Sequence, residues 1–325
     1  MSKKTNASKE PKRTGRQSAP QRAMPGGMLP GMPMDKTMAD IKKILASRQF
    51  DSIEEINAFM TQMLANNDGR LPEMPPETPL ERAQELVYRA SEANTPKRRA
   101  ELARQAIEIS PDCADAYRLL AEMERNLSRK IDLLEQAVAA GERAIGPEAF
   151  EDARGHFWGV VETRPYMRAQ SALAQVCWVQ ANRARAIAIF SHLLELNPND
   201  NQGVRYMLVC CLLEERTASA GAALAKLMGD FDDDAGAALT YGQALWRFQE
   251  NGGPSAAADE ALREAIRYNK HVPAFLLGDR PMPAEFPDTI GMGDESEAID
   301  YAATGVRAWS HTPGAIAWLR GMQRG

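Results

Sequence analysis

The chain is poor in aromatic residues (6%), in cysteine (four) and in histidine (four), and it has no long apolar run. Each shortage excludes something. Scarce aromatics beside abundant alanine argue against sheets, which draw on β-branched and aromatic side chains, and favour closely packed helices. Cys113, Cys177, Cys210 and Cys211 have neither CxxC spacing nor neighbouring histidines, so they read as reduced core thiols, not as a disulfide framework or a zinc site. The longest apolar stretches, such as Tyr206 to Leu213, fall well short of the ~20 residues that cross a bilayer. The basic N-terminal segment has no apolar stretch of the secretory kind, which makes the cytoplasm the expected address.

Chemistry is equally sparse. His156, His192, His271 and His311 are scattered and none has a metal or catalytic spacing. Asp230, Asp232 and Asp234 begin like a calcium loop, but the required glycine is Ala235 and the twelfth-position glutamate is Tyr241. With no phosphate loop and no serine-nucleophile motif, no catalytic role, cofactor or metal is expected.

Charge is unevenly spread. Residues 1–22 carry seven Lys or Arg against Glu10, a net of +6, so that the remainder of a chain that is −5 overall carries −11. An acidic body repels phosphate backbones, and nucleic-acid tethering would have to come from the tail alone. Residues 1–34, which add the Met, Pro and Gly mixture AMPGGMLPGMPM, have no periodic apolar face and read as a disordered tail. From Asp35 the spacing of Met38, Ile41, Ile44 and Leu45, then of Ile53, Ile56, Phe59, Met60, Met63 and Leu64, predicts a short helical hairpin over 35–66, too small to stand alone and expected to dock. Ser52 with Glu55 is a capping-box signature for its second helix. Residues 67–79, with Pro72, Pro75, Pro76 and Pro79, form a stiff linker, closed by Thr78, Pro79 and Glu81 as cap, first-turn proline and N3 carboxylate.

From residue 80 to 325 a helix–turn–helix unit repeats. In its clearest copy, Met167 to Asp200, Leu173 and Ala174 let two helices approach, Ala186 and Phe190 fill the gap, and Pro198 stops the second helix; this is the punctuation of a tetratricopeptide repeat, although Gln170 and Cys177 replace its first-helix aromatics. The same frame selects Leu86, Ala90, Ala103, Ala106 and Pro111, then Tyr117, Leu120 and Ala121, then Val204, Met207, Leu208, Ala220 and Leu224, and later Leu245, Trp246, Ala258, Leu262 and Ala265. Five units result, and the fold class is an all-α, tetratricopeptide-like helical-repeat solenoid whose stacked units share one core. Pro111 and Pro198 lie 87 residues apart, about 19 more than two units of ~34 would take. The excess falls near 147–165, where Phe157 and Trp158 suggest a folded loop, either a plug against the next repeat or a functional insert. Asp294 to Gly321 reads as a closing helical pair, with Ala298, Ile299, Ala302, Val306 and Trp309 on one face.

Several segments carry a likeness: NPNDNQGVRYMLV at 197–209, KHVPAFLL at 270–277, GDESEAIDYA at 293–302, Trp309, PGAIAWL at 313–319, and FWGVVETRPYMRA at 157–169. Over roughly Leu80 to Leu319 the chain resembles bacterial tetratricopeptide-like relatives of the suppressor-of-tumorigenicity-seven family. The likeness implies a regulatory rather than enzymatic role. It also implies membrane association in the eukaryotic members, a location not transferred to a chain without a membrane segment.

By resemblance to tetratricopeptide proteins, partner contacts fall on set positions of each first helix, here Tyr88, Arg118, Glu122, Arg125, Arg168, Gln175, Gln202, Arg205 and Arg247. Their arginines suit an acidic or carboxylate-ended peptide, because guanidinium forks pair bidentately with carboxylates. Equally open is that they bridge neighbouring repeats through residues such as Glu122. On the first view the chain is a protein-binding scaffold, and reversing the charge of Arg168 and Arg205 abolishes capture without unfolding. The enzymatic alternative places His156, Glu162 and Arg164 beside Tyr166 as an acid–base cluster in the insert.

Overall fold

Two short helices, α1 (Met32–Ala46) and α2 (Ile53–Asn66), precede the repeats in the computed structural model, which describes residues 32–287 and 289–323. The tail expected at 1–34 lies outside these up to residue 31; its last three positions already belong to α1, which starts at Met32 rather than Asp35. Ser52 caps α2 by accepting from the Glu55 amide at 3.2 Å, but the Glu55 carboxylate turns to the Asp51 amide, so only half of the expected box forms. No residue of α2 is buried.

Thr78 and Glu81 form a complete capping box, exchanging backbone bonds of 3.1 and 3.2 Å, and open α3 (Pro79–Ser91). It pairs with α4 (Pro96–Ile109), and the next hairpin is α5 (Ala114–Met123) with α6 (Leu127–Ile145). The insert follows as α7 (Pro147–Asp152) and two 3-10 turns at Phe157–Gly159 and Val161–Thr163. Three further hairpins are α8 (Arg164–Val179) with α9 (Arg183–Leu196), α10 (Val204–Glu215) with α11 (Ala218–Asp230), and α12 (Ala237–Glu250) with α13 (Ala256–Tyr268). A short α14 (Val272–Leu276), α15 (Glu295–His311) and α16 (Ala315–Met322) complete the described chain, which contains no strand among its described residues.

The small residues at repeat positions are the reason the hairpins close. Ala90, Ala103, Ala106, Ala174, Ala186, Ala258 and Ala265 are fully buried, and Phe190, Leu245 and Leu262 fill the space that they leave. The apolar core is in two parts: a smaller cluster of Ala83, Val87, Leu102, Ala103, Leu119 and neighbours under the first hairpin, and a large one running from Ala121 to Leu319.

The insert is the plug that its aromatics suggest. Phe157 is fully buried, with ring centroids 4.8 Å from Phe150 and 6.2 Å from Tyr166, and Trp158 is buried beside it. The closing pair does more than cap the end. α15 packs along α10 and α12, the first helices of the last two hairpins, while α16 packs against α13. That placement explains the apolar run first noticed at Tyr206 to Leu213: covered by α15 as well as by neighbouring hairpins, α10 is buried continuously from Met207 to Leu213 and has no wet face.

Candidate functional site

First helices stack side by side in two runs, α3 with α5 and α8 at one end of the repeats and α10 with α12 at the other, and one of the chain's own helices lies on each run. At the far end the cover is α15, with nine buried residues from Glu297 to Trp309. Glu297 fastens it: its carboxylate accepts from the Ala237 amide (2.8 Å) at the start of α12, from the Gly293 amide (2.8 Å) and from Asn269 Nδ2 (2.9 Å). Asn269 Nδ2 also donates to the Asp294 carbonyl at 2.8 Å, and Tyr241 donates to the Asn269 carbonyl at 2.7 Å. Trp309 Nε1 donates to the Tyr301 hydroxyl, and Trp318 Nε1 to Asp259, at 2.8 and 2.7 Å. Of the segments that carried the likeness, 293–302, Trp309 and 313–319 take part in this stitching, while 157–169 lies at the other end, against α1.

At the near end the cover is α1, which packs on α3 and on the second 3-10 turn of the insert. Its seat is ionic. Asp35, 2% exposed, accepts from Arg164 Nη1 at 2.6 Å and from Arg168 Nη1. Arg168, 3% exposed, turns its other nitrogens on Asp115 of α5, at 3.1 and 2.5 Å, and Arg118 Nε reaches the same carboxylate at 3.1 Å while its Nη1 meets Glu122. Gln84 Nε2 adds a bond to Asp115 at 3.3 Å. Burial pushes the Asp115 carboxyl up, but the Arg168 and Arg118 guanidiniums outweigh it and hold the group well below the usual carboxylate range. Burial likewise opposes the charge on Arg168, and Asp115 and Asp35 restore it. Tyr88, half-buried nearby, has its hydroxyl pushed above the ordinary tyrosine range by burial and by the Asp115 field.

Beyond Asp35, α1 has two other buried side chains among those described, Asp40 and Ile44. Lys43 pairs with Glu81 at 2.7 Å and donates to the Pro75 carbonyl, Lys36 lies 3.7 Å from Glu85, and Lys42 meets Glu162 of the insert. Met38, expected on the apolar face of this helix, is 37% exposed instead.

The nine residues expected to line a groove therefore divide. Arg118 and Arg168 are buried in the ion network, with Glu122 at its exposed rim. Arg205 is committed elsewhere, bonded to Asp200 (2.8 Å) and Asp234 (2.6 Å) and lying over the Tyr206 and Phe231 rings. Arg125 is exposed, and Tyr88, Gln175, Gln202 and Arg247 are half-buried. Reversing Arg168 and Arg205 cannot leave the fold intact, contrary to the expectation from sequence, because each reversal sets a new carboxylate against two existing ones. Spacing did not single out Asp35 or Asp115. The available signal was the pair Arg164 and Arg168, two cations one turn apart in a helix without an acidic residue, which require carboxylates from elsewhere in the chain.

The residues of the acid–base alternative are not gathered: His156 and Glu162 are exposed, Arg164 is turned to Asp35 and to the Trp158 carbonyl (2.9 Å), and the Tyr166 hydroxyl accepts from Gln170. Of the calcium-like aspartates, Asp230 pairs with Lys226 and Asp234 with Arg205. The four cysteines are buried and free, and burial pushes the Cys113 and Cys210 thiols up to about 12. Among the described residues no helix is long and apolar enough to cross a membrane.

No family model matches the chain. Similar proteins include the Suppressor of tumorigenicity 7 protein-like of Bos taurus, 29% identical over 72% of this chain and 46% of its own length, and the Protein ST7 homologs of Drosophila pseudoobscura pseudoobscura (26%, 72% and 47%) and Caenorhabditis elegans (27%, 72% and 49%). The chain thus spans about half the length of the curated relatives it matches. Among solved structures, one described as YrrB, a TPR protein with an unusual peptide-binding site, is 19% identical, with a TM-score of 0.40 over 64% of this chain and 90% of that one. The chain is a tetratricopeptide-like helical-repeat protein whose distant homologues are the suppressor-of-tumorigenicity-seven proteins.

Proposed function

We propose that the chain is a non-catalytic interaction scaffold whose partner, a protein or peptide, is received on the first-helix face formed by α3, α5 and α8. One observation carries this: the two ends of the face are covered in different ways. Over α10 and α12 the face is built into the core, with nine buried residues of α15 upon it. Over α3, α5 and α8 the cover is lighter: α1 lies there beside the 3-10 turns of the insert, and its described side chains bury one apolar residue, Ile44. A face of stacked repeats left so lightly filled is the usual place for recognition by proteins of this build. Tyr88, Glu122, Arg125 and Gln175 supply its accessible part.

The test is affinity capture from native lysate with the full chain as bait, with cross-links mapped by mass spectrometry. The exposed pair is changed by Glu122→Lys and Arg125→Glu, which touch the rim and spare Asp115. A partner cross-linked to α3, α5 or α8 and lost with the double variant is the expected result. A partner that the variant still captures through other helices removes this face from consideration.

A further inference from the structure

We infer that α1 is an internal ligand of this face, and that the partner which displaces it is a helix of the same polarity: a carboxylate in its first turn and lysines in the turns that follow. The inference rests on the reading of the α3, α5 and α8 face as the binding site and names what binds there.

The face is not uniformly basic, as the arginine-rich positions suggested; it is bipolar. Arg164 and Arg168 each turn one guanidinium nitrogen to where the helix begins, and Asp35 in the first turn of α1 is the group that they receive. Farther along, the wall is acidic: Glu81 on α3 and Glu162 on the insert face Lys43 and Lys42. The insert builds part of this wall, since Glu162 lies in its second 3-10 turn and Arg164 directly follows it. A helix with the opposite charge order would set lysine against arginine at one end and carboxylate against carboxylate at the other, so the pattern selects orientation as well as sign.

The same observations make the occupant removable. α15 buries seven apolar or small residues beside Glu297 and Thr304, whereas the buried side chains described on α1 are Asp35, Asp40 and Ile44. Between α1 and the first repeat lie α2, which buries nothing, and the proline-rich stretch before Thr78. A helix on such a tether competes at an effective concentration in the millimolar range, enough to exclude weak ligands while yielding to stronger ones.

The probe is a fluorescently labelled peptide of residues 32–46, read by anisotropy against the full wild-type chain and against full-length Ile44→Glu, which loosens α1 without touching the arginines. Hydrogen exchange reports whether α1 is released. Released α1 together with probe binding at least about tenfold tighter to Ile44→Glu than to wild type is the expected result. The Asp35→Asn probe and a poly-glutamate peptide should both bind at least about tenfold more weakly than the parent probe. Equal probe binding to the two chains overturns the inference, and so does an α1 as protected in Ile44→Glu as in wild type. Full-length Asp35→Asn is measured in parallel; if either variant abolishes the cooperative melt of the repeats, α1 is core and the inference falls. Probe failure alongside a captured partner cross-linked to α3, α5 or α8 overturns the internal ligand alone. Probe binding with no such partner spares the internal ligand and counts against the scaffold.

Discussion

Asp115 has no exposed side-chain surface and still carries charge, because Arg168 and Arg118 are fixed against it. Removing one partner of a buried ion network leaves the others desolvated and unpaired, which costs about 3–5 kcal/mol. Asp115→Asn should therefore lower the unfolding free energy by roughly that amount in urea titrations at pH 7. The pH dependence has a definite sign. A carboxyl held below its unfolded value contributes stability above about pH 4 and loses it as pH falls through the lower folded value, so the gap between wild type and Asp115→Asn narrows on acidification. Asp300 is the converse. Burial, with the Glu297 carboxylate adding to it, raises its carboxyl from 3.8 to about 6. The folded chain then binds the proton more tightly than the unfolded one, and stability falls as pH rises between those values. Asp300→Asn should gain about 1–3 kcal/mol at pH 7.5, a gain that disappears near pH 4. An unchanged difference between the melts at the two pH values would remove this burial penalty from the account.

At the scale of elements, helix spacing is set by what is missing from a side chain. Gly141 of α6 faces α8, and a Cβ built there would lie 2.9 Å from Tyr166 Cβ and 3.0 Å from its Cα. Backbone cannot yield as a side-chain tip can, so Gly141→Ala should lower stability by about 1–3 kcal/mol despite its better helix propensity, as thermal melts of the pair will show. Such contacts mark the limit of what the sequence discloses. Ala90, Ala174, Ala186 and Phe190 were legible because a small residue, a large one and a terminal proline recur at fixed intervals, and each is fully buried. Thr78 with Glu81 was legible because a capping box is local. The pairing of Arg168 with Asp35 spans 133 residues and that of Glu297 with Ala237 spans 60, and no periodicity encodes them. Seven of the nine groove positions fall within first helices, Arg125 and Gln202 lying just outside α5 and α10, and their exposure depends on where α1 and α15 come to rest. Only the three-dimensional path of the chain decides that.

For the molecule as a whole, the division of the core matters more than the number of repeats. The first hairpin has its own small apolar cluster, the rest of the chain shares a large one, and α5 contributes Leu119 to the former and Ala121 to the latter. Across this join lies the ion network, with Asp115 on α5, Arg168 on α8 and Asp35 on α1. In a solenoid, stability is approximately a sum of unit and nearest-neighbour terms, so a polar junction is where cooperativity is weakest. Native-state hydrogen exchange should therefore resolve at least two opening units. α1 and α2 exchange first, α3 and α4 follow as a sub-global unit, and α10 and α15, which carry long buried runs, exchange only on global unfolding. Asp115→Asn should widen the interval between the second and third groups, because it weakens the junction and leaves the large core untouched. Identical protection of α4 and α10 in both proteins would mean that the chain opens as one body. The ion network would then be a local contact and not the joint between two parts of the fold.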